Sequence, residues 1–310
     1  MPRHTDVERA DFQRALSSVA EEGPLSTAEL DALSLLEGAD LTAFEEVWRG
    51  LSAAARARLI RVLRGAAEKR LRLDFSALNR LALEDEDERV RLAGVECALE
   101  DRSLALLGRL VDLVRSDPSQ KVRRAAAEDL SRFALLGELD EFDAATTRAL
   151  RERLLEVVHA EDEDPSVRSS ALAALGYFSD EGMMEELAQA FTNPVLRSGA
   201  VRGMGRSADP RWTDRLMPVL GSEDPQMREE AARALGEIED ERAVGPLVEL
   251  VDDQVPIVRL AAIGALGAIG GDEAREALLY ALEDPDTGIR EAAERAISDL
   301  EERENEPLDL

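Results

Sequence analysis

The sequence predicts an all-α chain folded as a solenoid of helical hairpins, and three observations carry that prediction. First, an apolar residue followed by arginine recurs at Val167-Arg168, Leu196-Arg197, Met227-Arg228, Val258-Arg259 and Ile289-Arg290, the arginines standing 29, 31, 31 and 31 residues apart. Second, each copy keeps its surroundings. A proline lies three residues before the arginine in the first four (Pro165, Pro194, Pro225, Pro256), and an apolar residue lies seven after it in all five (Leu175, Met204, Leu235, Leu266, Ile297). Glycine follows that apolar residue in four copies and Ser298 in the fifth. Third, no stretch alternates apolar and polar residues as a half-buried strand would. A period near 31 residues holds two antiparallel helices, and such a unit buries its apolar face only against its neighbours.

The elements follow in order. Residues 6–21 and 27–37 read as two helices separated by Gly23-Pro24, and Ser26 with Glu29 has the spacing of a capping box. Helix pairs are then expected over 41–71, 74–99, 102–135, 143–177, 180–206, 209–237, 240–269 and 271–301, with fainter arginine copies at Arg91 and Arg123. In Asp164-Pro165 and Asp224-Pro225 the aspartate can cap a helix whose first residue is proline. The first helices of the later pairs are expected in stretches such as 211–220, 241–251 and 273–282. The interval from Arg123 to Arg168 is 45 residues, and its excess falls around 136–143. It is either a longer loop and helix or a protruding loop with Phe142 at its tip. The expected domains are an N-terminal helical cap (1–40), one continuous solenoid (41–301) and an acidic tail (302–310).

A two-helix unit of this length, with Asp-Pro-x-Val-Arg opening the second helix (Asp164 to Arg168), resembles the HEAT repeat family. It is most similar to the short bacterial form noted in phycobilisome lyases, and the resemblance covers roughly residues 40–300. It implies a right-handed α-α superhelix whose second helices line the concave face. It also implies an Asp–Arg ladder between repeats, here Arg168, Arg197, Arg228, Arg259 and Arg290 with Asp164, Asp224, Asp253 and Asp284. Members include scaffolds, bilin lyases, a DNA glycosylase and a di-iron hydroxylase of deoxyhypusine. The hydroxylase needs several His-Glu pairs, whereas this chain has only His4 and His159, neither followed by Glu.

Composition narrows the function. Among 310 residues, 38 basic side chains face 66 acidic ones, a net charge of −28, which repels nucleic-acid phosphates. The longest apolar run, Leu260 to Gly271, is shorter than the ~20 residues of a membrane span, and no signal segment is legible at the N-terminus. A soluble cytoplasmic monomer is expected, and the near absence of lysine (Lys69 and Lys121) points to a GC-rich bacterial source. A single cysteine, Cys97, precludes an internal disulfide. No nucleophile set, phosphate loop or zinc set is present, so no enzyme activity, cofactor or metal is expected.

The candidate binding residues are of three kinds. Acidic clusters precede the second helices, at 84–88, Glu161-Asp162-Glu163-Asp164, 223–224, 252–253 and 283–284. In a solenoid they form one ridge, either simply solvated or able to dock a basic partner. A stripe at one, five and nine residues past each arginine includes Tyr177, Arg202, Arg206 and Arg233, passes through the apolar patch Leu260, Gly264 and Ala268, and continues to Glu291, Arg295 and Asp299. That patch is either a receptor for a partner side chain or buried packing. Arg211-Trp212 is a third candidate contact, Trp and Arg being enriched in binding hot spots, with core packing as the alternative for Trp212. These features predict a non-enzymatic scaffold for protein partners, a basic one first among them. The alternative is a bilin lyase or bilin-handling chaperone.

Overall fold

Many helix starts in this chain are set by short polar side chains that take up free backbone N–H groups. In a computed structural model, described over residues 6–70, 72–98 and 101–305, Asp87, Asp164 and Asp224 each accept from the N–H two residues on, and Pro165 and Pro225 occupy first helical positions. His4, residues 306–310 and the first residues of the expected cap lie outside the described residues. No strand occurs among the described residues.

The chain divides into two compact units, Met1–Phe133 and Ala134–Leu310. The first contains α1 (Asp6–Ala20), α2 (Thr27–Ala32), α3 (Gly38–Gly50), α4 (Ala53–Lys69), α5 (Ser76–Leu83), α6 (Glu88–Glu96) and α7 (Leu104–Ser116), and α8 (Gln120–Glu138) begins in it. Helices α1 to α3 pack together, α3 packs on α5, and α4, α5 and α6 pack on one another. One apolar cluster joins Phe12, Val19 and Leu33 to Phe44, Trp48, Ile60 and Leu78, so the N-terminal helices share a core with the repeats that follow.

The capping box at Ser26 is present: its hydroxyl accepts from the Glu29 N–H, and Glu29 accepts from the Ser26 N–H at 2.7 Å and from the Ser18 hydroxyl at 2.6 Å. The Ser18 bond is the largest influence, and with the Ser26 bonds it lowers the Glu29 carboxyl from 4.5 to about 2. A depressed carboxyl contributes stability above its unfolded value and loses it as pH falls through the folded one. Urea midpoints should therefore drop between about pH 4.5 and pH 2. A Glu29→Gln variant should show a shallower drop over the same range.

The second unit contains α9 (Ala144–His159), α10 (Pro165–Leu175), α11 (Glu181–Phe191), α12 (Arg197–Arg206), α13 (Thr213–Leu216), α14 (Pro225–Ile238), α15 (Val244–Glu249), α16 (Pro256–Ile269), α17 (Asp272–Ala281) and α18 (Thr287–Asn305). The second helices form a layer in which α10, α12, α14, α16 and α18 pack in sequence, and each also packs on the helix that precedes it. This is the helical-hairpin stack of an α-solenoid. The longer interval before Arg168 is taken up by α8, of 19 residues, and α9, of 16, joined by the short turn 139–143. Phe142 is half-buried there, and Leu139 is the exposed apolar residue.

Two first helices are not the continuous α-helices their sequence pattern predicts. Residues 210–221 run as 3-10, α and 3-10 segments, and so do residues 241–252. Pro218 removes a backbone donor where the first would continue, and short 3-10 turns close both ends of such brief helices. Helix α18 continues to Asn305, beyond position 301.

Candidate functional site

The repeated arginine is the residue from which the site is built. The guanidinium has two kinds of partner, and Arg91, Arg228 and Arg259 take both. One nitrogen donates to the carbonyl six residues earlier: Arg91 to Asp85, Arg123 to Asp117, Arg228 to Ser222, Arg259 to Asp253 and Arg290 to Asp284, at 2.7 to 2.9 Å. Its other nitrogens take an aspartate of the next repeat. Arg91 holds Asp117 at 2.6 and 2.9 Å, Arg228 holds Asp253 at 2.7 and 2.9 Å, and Arg259 approaches Asp284 at 3.0 Å. Arg56 in α4 makes the same contact with Asp85 at 3.1 Å, and the Trp48 indole donates to that carboxylate at 3.2 Å.

Register explains which acid does what. Asp85, Asp117, Asp253 and Asp284 stand six residues before an arginine and form rungs, whereas Asp162, in the same register before Arg168, is exposed. Asp164 and Asp224 stand four before, and each accepts from its own helix N-terminus, at 2.8 Å from the Ser166 N–H and 3.0 Å from the Gln226 N–H. The expected ladder therefore mixed two positions, two of its aspartates acting as helix caps. The Arg228 guanidinium, its strongest influence, holds the Asp253 carboxyl below its ordinary range.

The rungs also sort the acidic clusters into inward and outward groups. Asp85 and Asp117 are buried and Asp253 and Asp284 half-buried, while Glu84, Glu86, Glu161, Asp162, Glu223, Asp224, Asp252 and Glu283 are exposed. Glu163 is half-buried and its carboxylate accepts from the Asp164 N–H at 2.6 Å. In the second unit the turns that carry these acids all lead into the packed layer of second helices.

Among the other candidates, Arg206 lies 5.7 Å from the centre of the half-buried Tyr177 ring. Arg202 approaches Glu230 at 3.9 Å, and Arg233 pairs with Glu229 at 2.9 Å. Ser169 and Ala173, which open the same stripe, are buried. Leu260 is half-buried and Gly264 exposed, with Ile263 and Leu266 buried beside them, so the apolar patch is a narrow strip of small side chains. Trp212 is buried and Arg211 exposed, the latter paired with Asp209 and Glu181 at 2.8 and 3.3 Å. Burial pushes the thiol of half-buried Cys97 above its ordinary value. His159 is exposed, its Nε2 3.0 Å from Glu186. Among the described residues, no three His, Cys, Asp or Glu side chains gather as metal ligands, and no helix is long and apolar enough to cross a membrane.

Sequence reasoning missed one cluster. Arg197, the ladder residue of α12, does not meet an aspartate and instead lies 4.7 Å from the centre of the Phe191 ring. Arg215 lies 5.8 Å from the same ring and 5.5 Å from that of Trp212. The signal was available in the register: the positions six before Arg197 and Arg228 are Phe191 and Ser222, where the other ladder repeats have Asp.

No curated protein matches the chain. Solved structures with a similar arrangement include human deoxyhypusine hydroxylase in complex with glycerol (17% identical, covering 96% of this chain and 98% of that one, TM-score 0.39). A designed armadillo repeat protein in complex with a (KR)4 peptide is 18% identical and covers 63% of this chain and 99% of that one, with a TM-score of 0.40. A chain of a solved structure of Kap95p bound to RanGDP is 16% identical over 98% of this chain and 48% of that one, with a TM-score of 0.47. The HEAT repeats family matches residues 184–263 and 247–309. Over residues 184–309, then, the chain is similar to HEAT repeats.

Proposed function

We propose that this protein is a non-enzymatic, cytoplasmic docking scaffold that holds an extended, basic segment of a protein partner along the acidic turns of its second unit. One observation carries the reading: after the rungs and caps have been satisfied, a surplus of exposed carboxylates (Glu161, Asp162, Glu223, Asp252, Glu283) remains at the turns that lead into successive second helices. Neighbouring helices are roughly 8–10 Å apart, so an extended segment, rising about 3.3 Å per residue, would meet a new turn every third residue. Attraction between this ridge and a positively charged segment speeds encounter and selects the partner by sign.

The test is a five-site neutralised variant: Glu161→Gln, Asp162→Asn, Glu223→Gln, Asp252→Asn and Glu283→Gln. Calorimetric titration with a peptide carrying a lysine at every third position should show binding to the wild type and at least a tenfold weaker dissociation constant for the variant. Equal affinity for both proteins would end the proposal. These five side chains make no helix cap or rung, so the unfolding midpoint should stay close to that of the wild type.

A further inference from the structure

The acidic series in the second unit is interrupted once. The turns before α10, α14, α16 and α18 each carry carboxylates, but Phe191-Thr192-Asn193-Pro194-Val195-Leu196, before α12, carries none. The ladder lapses at the same place. With Phe191 and Ser222 in the rung positions, Arg168 and Arg197 have no aspartate to take up. Among the described residues, Arg168 donates through Nε to the Val158 carbonyl at 2.8 Å, and Arg197 and Arg215 stack on Phe191 with no carboxylate against either. Both Arg197 and Arg215 are exposed. In a chain of net charge −28, these are two exposed guanidinium groups that, among the described residues, form no ion pair with a carboxylate of the chain.

The chemistry of the cluster points to its ligand. A guanidinium on an aromatic face uses its π-surface for the ring and keeps the N–H groups at its edge free. That edge is a planar fork that matches a carboxylate with two parallel hydrogen bonds. The same arginine position makes that bond within the chain at Arg91–Asp117 and Arg228–Asp253. A groove beside it includes Pro194, Arg197, Ser198, Asp224, Gln226 and Met227 in its walls, and the Asp224 carboxylate there is occupied by the N-terminus of α14.

We infer that Arg197 and Arg215, stacked on Phe191, receive a carboxylate of the docked partner, so that the segment recognised is basic with one Glu or Asp set among its lysines or arginines. This rests on the docking reading above and adds a register to it. An acid at the α12 turn would be flanked on both sides, one turn away, by the carboxylates at 161–162 and at 223. The matching segment therefore has its acid at the centre and its basic residues about three and six positions to either side.

Two peptides with that lysine spacing, one with Glu at the centre and one with Gln, test the inference by calorimetric titration against three proteins. For the wild type the Glu peptide should bind at least about fivefold more tightly than the Gln peptide. In Arg197→Ala that preference should vanish, while the Gln peptide, relieved of a like charge, should bind at least as tightly as it does to the wild type. Ser222→Asp places a carboxylate 25 residues after Arg197, the separation found for Arg228–Asp253 and Arg259–Asp284, and so supplies the rung from within the chain. It should also erase the preference, and should raise rather than lower the unfolding midpoint. Equal binding of the two peptides to the wild type would overturn the inference and leave the docking reading standing. Binding of neither would overturn both.

Discussion

Gly176→Ala is expected to cost about 3 kcal/mol or more of the second unit's stability, a large shift of the urea midpoint for one methyl group. Gly176 follows α10 with ordinary right-handed backbone angles (φ −59°, ψ −21°), so alanine meets no conformational penalty there. The obstacle is contact. A Cβ at Gly176 would stand 2.2 Å from the Gly203 carbonyl oxygen and 2.5 Å from its Cα. Those are backbone atoms, which cannot swing aside, so α10 and α12 would have to separate. Three further contacts, one more between α10 and α12 and one each at the next two crossings, are nearly as close. A Cβ at Gly199 would meet the Ser169 carbonyl oxygen at 2.4 Å, one at Gly205 the Ala234 Cα at 2.6 Å, and one at Gly236 the Ala265 Cα at 2.7 Å. The contrasting variant is Gly264→Ala. That glycine is exposed inside α16 with nothing within 4 Å of its would-be Cβ, so the substitution should stabilise by roughly 0.5–1 kcal/mol through helix propensity alone. Comparing the two variants by urea unfolding separates close helix approach from a general dislike of substitution at glycine. A Gly176→Ala midpoint within error of the wild type would refute the packing argument.

Asp117→Ala should be the most damaging change in the first unit, at about 3–5 kcal/mol. The Arg91 and Asp117 side chains are 9% and 2% exposed, and the two are joined by two parallel hydrogen bonds. Asp117 also accepts from the Ser119 N–H at 2.8 Å. Removing the carboxylate leaves a guanidinium desolvated and half-satisfied, which costs far more than the net worth of the pair. A double variant, Arg91→Met with Asp117→Leu, removes both charges and should recover most of the loss. Failure of the double variant to recover any stability would mean that packing around the pair matters more than its charges.

Much of the architecture was legible because the repeat marks its second helices with an apolar-Arg pair at fixed distance, doubled at α10 and α14 by a capping Asp with Pro. The capping box at Ser26 and the second-helix layer followed from local chemistry of that kind. The continuity of the first helices was harder to read. An amphipathic pattern over 211–220 is compatible with a straight α-helix, yet Pro218 makes the chain break it into short turns. Register mattered more for the site. Grouping the acids only as those that precede an arginine placed Asp164 and Asp224 beside Asp253 and Asp284, although a two-residue offset decides whether an aspartate caps its own helix or meets the arginine of the preceding repeat. The Phe191 cluster was invisible for a related reason: Arg215 reaches it from α13, and no linear motif joins those residues.

The central claim is that docking is electrostatic and located on the acidic turns, and salt dependence tests it most directly. The Gln-centred lysine peptide should be titrated into the wild-type protein at about 50 mM and about 500 mM salt, conditions that take the screening length from roughly 14 Å to roughly 4 Å. The account predicts binding at the lower salt and a dissociation constant at least tenfold weaker at the higher. The same affinity at both concentrations, or no binding at either, would contradict it.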